Sequence, residues 1–264
     1  MKPNSFVFFG GDSVAKTAQD SLAKYGLVPS MKVSGRLDEG TMDQIRKSGA
    51  QFGILASYGK ILREEQLELF PFGILNIHPS MLPLLRGPSP IKTAILEGLE
   101  RTGTSIMLLE GKMDAGPILI QEEVPDSPRS TKEEDLRIVL MNKGAELISR
   151  VLGDYLKGEI LPITQNETLA TYTRKFTTED AYIPYADFTA NPELAYRKVL
   201  ALYEEPGSYS IIDVITQNSE IKQIRLKILE ASLVEGKFEP VTVQPEGKSK
   251  MPWKDFLLGN KLIA

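Results

Sequence analysis

The first half of the chain alternates between short apolar runs and stretches in which apolar residues recur at helical spacing. The apolar runs predict buried strands, and the helical spacing predicts helices that pack one face against them. This alternation favours an α/β fold with an open, mostly parallel sheet, in which ligands bind at the carboxyl ends of the strands. The predicted strands are Phe6–Phe9, Gln51–Tyr58, Gly73–Ile77, Thr104–Leu109 and Pro117–Val124, and the predicted helices begin near Asp12, Arg63, Pro90 and Thr131.

The second half of the chain has a different pattern of apolar and polar residues. Around Gly158–Arg174 the segments become short and polar, which is typical of a linker. One helical pattern then precedes strand-like stretches that are interrupted by glycine and proline, and these predict a small β-rich domain. The predicted organisation is a first domain over 1–165, a linker over 166–180 and a second domain over 181–264.

Composition removes several classes of function. The 264 residues are 42% hydrophobic and 25% charged, as in a soluble globular protein, and the net charge of −4 provides no global attraction for nucleic acid. Cysteine is absent and His78 is the single histidine, which excludes disulfides, a thiolate nucleophile and a multi-histidine zinc site. No apolar run has the length of a membrane span, so we expect a cytoplasmic protein without a membrane partner.

Three polar residues are candidates for chemistry. Asn76 and His78 lie two apart at the carboxyl end of a predicted strand, so their side chains share one face. An amide donor beside an imidazole suits an oxygen that becomes negative during a reaction. Asp114 follows the next predicted strand, and its carboxylate could orient the imidazole or accept a proton. Taken singly, Asn76 could be an ordinary strand-end cap and Asp114 a turn former, and a lone histidine is more often structural than catalytic.

The order of these residues resembles a known family. The stretch N-I-H-P-S-M-L-P-L-L-R-G over 76–87 and the later D-A-G over 114–116 closely resemble the catalytic core of the formyltetrahydrofolate-dependent formyltransferases. Met81 replaces the usual leucine of that family, and Ala56–Leu62 resembles its A-Y-G-x-I-L segment. The resemblance implies a Rossmann-like catalytic domain with a mostly parallel sheet.

The C-terminal residues indicate which branch of this family the chain resembles. Residues 242–248 and 251–257 are similar to the C-terminal end of the methionyl-tRNA formyltransferases, and the 170–175 segment resembles the connection between their domains. This similarity implies an oligonucleotide-binding-like barrel that helps to hold tRNA. One segment departs from the pattern, because the basic, glycine-rich loop of the family is replaced by a loop over Met31–Met42 with two basic and two acidic residues.

The resemblance also implies the reaction. A formyl group passes from 10-formyltetrahydrofolate, without a metal, to the α-amino group of methionyl initiator tRNA for translation initiation, in an enzyme expected to be a monomer. The implied catalytic residues are Asn76, His78 and Asp114; the implied folate-binding residues are Ser80, Met81, Leu82 and Pro83; and the implied substrate-binding residues are Arg86, Gly87, Arg174 and Lys175.

Three other functions remain open at this point, of which the most distant, formylation of glycinamide ribonucleotide, would leave the second domain without an obvious task. A sugar-nucleotide amine N-formyltransferase would use the same folate chemistry on another acceptor, and the altered loop at 31–42 leaves room for it. A non-catalytic folate- or RNA-binding module on the same scaffold is disfavoured, because a decayed site need not keep Asn76, His78 and Asp114 together. A dinucleotide dehydrogenase is disfavoured as well, since Gly10-Gly11 lacks a following phosphate-binding signature.

Overall fold

The computed structural model describes residues 5–216 and 218–263, which form two compact units. The first unit contains the described residues up to Ile91 together with Glu100–Ser127 and Glu134–Arg174. The second contains Lys92–Leu99, Pro128–Glu133 and the described residues from Lys175 onward. The linear domain bounds proposed from the sequence (1–165, 166–180 and 181–264) stay a prediction.

The first unit is built on a six-stranded mixed sheet in the order β2-β1-β3-β4-β5-β6. The first four strands run parallel, and β5 and β6 are antiparallel to their neighbours, so the mostly parallel Rossmann-like sheet predicted from the sequence is confirmed. The strands are β1 (Phe6–Phe9), β2 (Met31–Val33), β3 (Phe52–Leu55), β4 (Ile74–His78), β5 (Thr102–Leu108) and β6 (Ile118–Val124).

Local sequence explains these elements. Every residue of β1 and of β4 is buried, which is the pattern of central strands covered on both faces. Asp12 begins the first helix by accepting a hydrogen bond from the Ala15 amide at 2.8 Å. The fourth helix begins at Pro90, a favourable first position for proline. The helices are α1 (Ser13–Lys24), α2 (Glu39–Ser48), α3 (Glu64–Leu67), α4 (Pro90–Glu97) and α5 (Glu133–Leu156).

The segment Met31–Met42 is not the loop that the sequence suggested. It contains strand β2 and the start of helix α2, whose N-terminus is capped by the Asp38 side chain through the Thr41 amide at 2.8 Å. Met42 and Ile45 are the buried residues of this helix. The interpretation as a loop was wrong because a three-residue edge strand has too short an apolar run to be recognised, and its pairing with β1 is a tertiary contact.

The second unit contains the β-rich domain predicted from the sequence. Its antiparallel sheet has the order β10-β9-β8-β7-β11, and two register shifts between Ile228 and Ala231 bend the long central strand. Trp253 stacks on Phe256 within its apolar core. The elements are α6 (Asp187–Ala190), α7 (Pro192–Leu202), β7 (Tyr209–Thr216), β8 (Ile221–Val234), β9 (Lys237–Pro245), β10 (Met251–Pro252), α8 (Trp253–Gly259) and β11 (Asn260–Leu262).

Over residues 5–216 and 218–263, none of the helices combines the length and the apolar character needed to cross a membrane.

Candidate active site

The three candidate catalytic residues meet at the carboxyl end of β4. Asn76 and His78 are both buried on this central strand, which pairs with β3 on one side and β5 on the other. The Asp114 carboxylate reaches them from the loop between β5 and β6. Asn76 Nδ2 lies 3.4 Å from Asp114 Oδ1, and His78 Nδ1 lies 3.7 Å from Asp114 Oδ2. The spatial convergence on which the sequence interpretation depends is therefore present.

The imidazole of His78 lies between two acceptors. Its Nε2 is 3.1 Å from the Leu85 carbonyl oxygen, while its Nδ1 faces Asp114. A neutral imidazole has one N–H and can satisfy only one of them. Burial lowers the pKa of His78 below its ordinary value, although the Asp114 charge and the Leu85 carbonyl oppose this effect; the Arg86 charge lowers the pKa further. His78 can donate to a third oxygen only when one of its present contacts opens.

Asp114 is held in an unusual backbone conformation. Its φ of 49° lies in the left-handed region, which is uncommon for a residue with a side chain. Its Oδ2 accepts a 2.7 Å hydrogen bond from the Gly87 amide. Gly87 itself has a φ of 112°, and a Cβ there would lie 2.8 Å from Thr173 Oγ1. Glycine is therefore required at 87 if its amide is to reach the Asp114 carboxylate, so the predicted role of Gly87 in binding substrate is accompanied by a structural one.

Arg86 is fully buried and satisfied by the protein. Its Nε and Nη2 both donate to Gln165 Oε1, at 3.1 and 2.8 Å. Its Nη2 and Nη1 also form a fork to the two Glu167 oxygens at 2.8 and 3.1 Å, and Nη1 donates to the Tyr172 hydroxyl at 3.2 Å. We call these four residues the Arg86 cluster. Hydrogen bonding to Glu167 raises the pKa of Arg86, and the same bond lowers the pKa of Glu167.

This geometry gives Arg86 a supporting position. All five guanidinium N–H groups have protein acceptors, so none is directed toward a substrate. The contact with substrate that the resemblance implied for Arg86 stays a prediction.

The proposed folate segment has two buried and two half-buried residues. Ser80 donates a hydrogen bond through Oγ to the Leu84 carbonyl at 2.7 Å, and the Leu82 amide donates to Ser105 Oγ at 3.1 Å. Ser80 and Leu82 thus fix the turn after β4. Met81 and Pro83 are half-buried, and this leaves them partly open as apolar lining.

The remaining predicted residues lie at the end of the first unit. Arg174 is its last residue, whereas Lys175 belongs to the second unit, and both are exposed. Their contact with substrate stays a prediction.

Sequence reasoning missed Gln165 and Glu167. Both lie in the stretch that was interpreted as linker or its margin, and Gln165 is 79 residues from Arg86 in the chain. No spacing rule connects them. Burial of Arg86 requires acceptors from elsewhere in the chain, but that burial is visible only in the structure.

Within the part of the chain that the structure describes, no cluster brings together three or more His, Cys, Asp or Glu side chains able to hold a metal ion.

Known proteins resemble this chain over most of its length. A model of the formyl transferase family matches residues 12–152. The methionyl-tRNA formyltransferase of Roseiflexus sp. (strain RS-1) is 31% identical, over 96% of this chain and 81% of its own length. The chain therefore belongs to the formyltransferase family, in the branch of the methionyl-tRNA formyltransferases.

Solved structures share the fold. The methionyl-tRNA formyltransferase from Clostridium thermocellum superposes with a TM-score of 0.66 at 20% identity, covering 92% of this chain and 99% of that one. HypX from Aquifex aeolicus in complex with tetrahydrofolic acid gives a TM-score of 0.70 at 15% identity, covering 96% of this chain and 46% of its own. These likenesses confirm the two-part architecture.

Proposed function

We propose that this enzyme transfers a formyl group from 10-formyltetrahydrofolate to the α-amino group of methionine esterified to initiator tRNA. The product is the N-formylmethionyl-tRNA used in translation initiation. The observation that carries the proposal is the meeting of Asn76, His78 and Asp114 at the carboxyl end of a buried strand. The family membership of the whole chain favours methionyl-tRNA as the acceptor.

The nucleophile in this reaction belongs to the substrate. A free α-amino group has a pKa near 8, so a useful fraction is neutral at pH 7. The amine nitrogen bonds to the formyl carbon, and the bond between that carbon and the folate nitrogen breaks. Asp114 accepts the proton that the amine loses, and the folate nitrogen gains a proton as it leaves, so the second product is tetrahydrofolate.

Asn76 and His78 stabilise the oxygen that becomes negative. The 3.4 Å contact between Asn76 and Asp114 is long for a hydrogen bond, so the amide can turn to a better acceptor at low cost. His78 contributes when its N–H leaves the Leu85 carbonyl or the Asp114 carboxylate. Charge that develops beside the imidazole raises its affinity for a proton and offsets the effect of burial.

The folate site is proposed on the turn after β4. Bound 10-formyltetrahydrofolate supplies the formyl group. Met81 and Pro83 offer apolar contact to a flat ring, while Ser80 and Leu82 hold the turn through their hydrogen bonds. We also propose a cytoplasmic monomer that contacts tRNA through Gly87, Arg174 and Lys175.

The decisive experiment combines the protein with 10-formyltetrahydrofolate and initiator tRNA charged with methionine. We expect N-formylmethionine after hydrolysis of the product, and a loss of about 10²–10³ in turnover for N76A. A parallel arm offers a nucleotide-linked aminosugar as acceptor. Formylation of the sugar alone would replace the proposal with a sugar N-formyltransferase. Folate binding without transfer to either acceptor would indicate a binding module.

A further inference from the structure

Gln165 connects the two loops that contact the imidazole of His78. On one side its Nε2 donates to the backbone carbonyls of Asp114 and Gly116, at 2.9 and 2.7 Å. On the other side its Oε1 accepts both hydrogen bonds from Arg86. The residue is buried and uses its full capacity of two donated and two accepted bonds.

The orientation of this amide is fixed by chemistry. Arginine can only donate and a backbone carbonyl can only accept, so exchanging the amide oxygen and nitrogen of Gln165 would break all four bonds. The residue therefore has one orientation, which joins Arg86 to the loop that carries Asp114.

Each of the two loops places one acceptor beside the imidazole of His78. The residue that carries this acceptor has a left-handed backbone conformation in both loops. Asp114 has a φ of 49°, and Leu85, whose carbonyl faces His78 Nε2, has a φ of 59°. Such conformations persist only where surrounding contacts fix them. Gln165 fixes the Asp114 loop directly.

Gln165 acts on the other loop through Arg86. Two backbone bonds add to this support, from the Arg86 amide to the Thr171 carbonyl at 2.9 Å and from the Thr173 amide to the Arg86 carbonyl at 2.7 Å. Gln165 and the backbone groups of Thr171 and Thr173 therefore together fix the two loops that contact the imidazole.

We propose that Gln165 is a positioning residue for formyl transfer, which sets the Asp114 carboxylate and the Leu85 carbonyl against the two ring nitrogens of His78. This inference rests on the proposed function. A displacement of about 1 Å in a catalytic group can cost about 10²-fold in rate.

The test uses Q165E with E167Q as its matched control. Q165E keeps an acceptor for Arg86 and removes the amide donors to the Asp114 and Gly116 carbonyls. E167Q alters the same arginine from its exposed side without touching the Asp114 loop. We expect kcat to fall by about 10- to 100-fold in Q165E with little change in the KM for the folate, and to stay within about threefold of wild type in E167Q.

A second measurement does not depend on activity. Because His78 is the single histidine, its imidazole carbon and nitrogen resonances report on this site alone. We expect the shifts of E167Q to match those of wild type at one fixed pH, and those of Q165E to move toward another tautomer or a mixture of tautomers.

Three results distinguish a failure of the positioning role from a failure of the proposed function and from misfolding of the variant. Coincident imidazole shifts in all three proteins, or unchanged kcat in a well-folded Q165E, would overturn the positioning role. A wild-type protein that transfers no formyl group would overturn the proposed function, and the resonances would then still decide how His78 is positioned. If Q165E does not fold, Q165M provides the same comparison of resonances without adding a charge.

Discussion

The Arg86 cluster and the trio of proposed catalytic residues (Asn76, His78 and Asp114) lie side by side, yet they differ in how completely their polar groups are satisfied. In the cluster every side-chain N–H of Arg86 and Gln165 has an acceptor within 3.2 Å. In the trio the contacts are 3.4 and 3.7 Å, and His78 faces two acceptors with one proton to offer when neutral.

This difference indicates that the Arg86 cluster has a structural role, whereas the other three residues are able to act on the substrate. A buried network with all its bonds made is rigid, because any movement leaves a desolvated polar group without a partner. Groups that must bind a new charge during a reaction need donors that can leave their present partners, and the long 3.4 Å contact of Asn76 allows this. The predictions below test this division, beginning with the largest effect.

Removing the charge of Asp114 should have the largest effect. D114N keeps the size of the side chain and an oxygen that can accept from the Gly87 amide, but it cannot take a proton from the amine. We expect turnover to fall by about 10²–10⁴-fold while the melting temperature changes little, as measured by single-turnover transfer and thermal unfolding. Turnover near that of wild type would remove Asp114 from its proposed role.

Substitution of Arg86 should have the opposite effect to D114N, because its main result should be a loss of stability. R86M leaves Gln165 Oε1 buried without a donor, so we expect the free energy of unfolding to fall by roughly 2–3 kcal/mol in urea titrations. R86K keeps the charge but not the fork, and its loss should be smaller. Equal stability of R86M and wild type would show that the cluster is not the support described here.

The pH dependence of stability should reveal the buried imidazole. Because burial lowers the pKa of His78 in the folded state, the unfolded chain binds a proton first as the pH falls below about 6.5. Wild type should therefore lose stability relative to H78Q between pH 7.5 and 5.5, by at most about 1.4 kcal/mol per pH unit, whereas the two should run parallel at higher pH. Thermal unfolding across this range measures the difference, and parallel profiles throughout would contradict it.

Glu167 should give the smallest effect. Its side chain is 60% exposed, so water can replace much of what it gives to Arg86. E167Q should change the melting temperature by no more than about 2 °C. A loss as large as that of R86M would mean that the outer half of the cluster carries the support.

Much of the fold could be predicted from local pattern. β1 has the bounds that its apolar run suggested, and α4 begins at the proline that was taken as its first residue. β2 could not be found in this way, since three residues carry too little periodicity and its partner β1 lies elsewhere in the chain. The antiparallel direction of β5 and β6 also depends on the tertiary structure, because a single apolar run does not determine the direction of its strand in the sheet.

For the site, the chain itself determined the kinds of groups available. With one histidine and no cysteine, imidazole chemistry could only involve His78, and the Asn76-x-His78 spacing placed two side chains on one face. The meeting of Asp114 with them and the burial of Arg86 against Gln165 were decided by the fold. These contacts join residues 38 and 79 apart, and such distances are closed by the packing of strands and loops rather than by local preference.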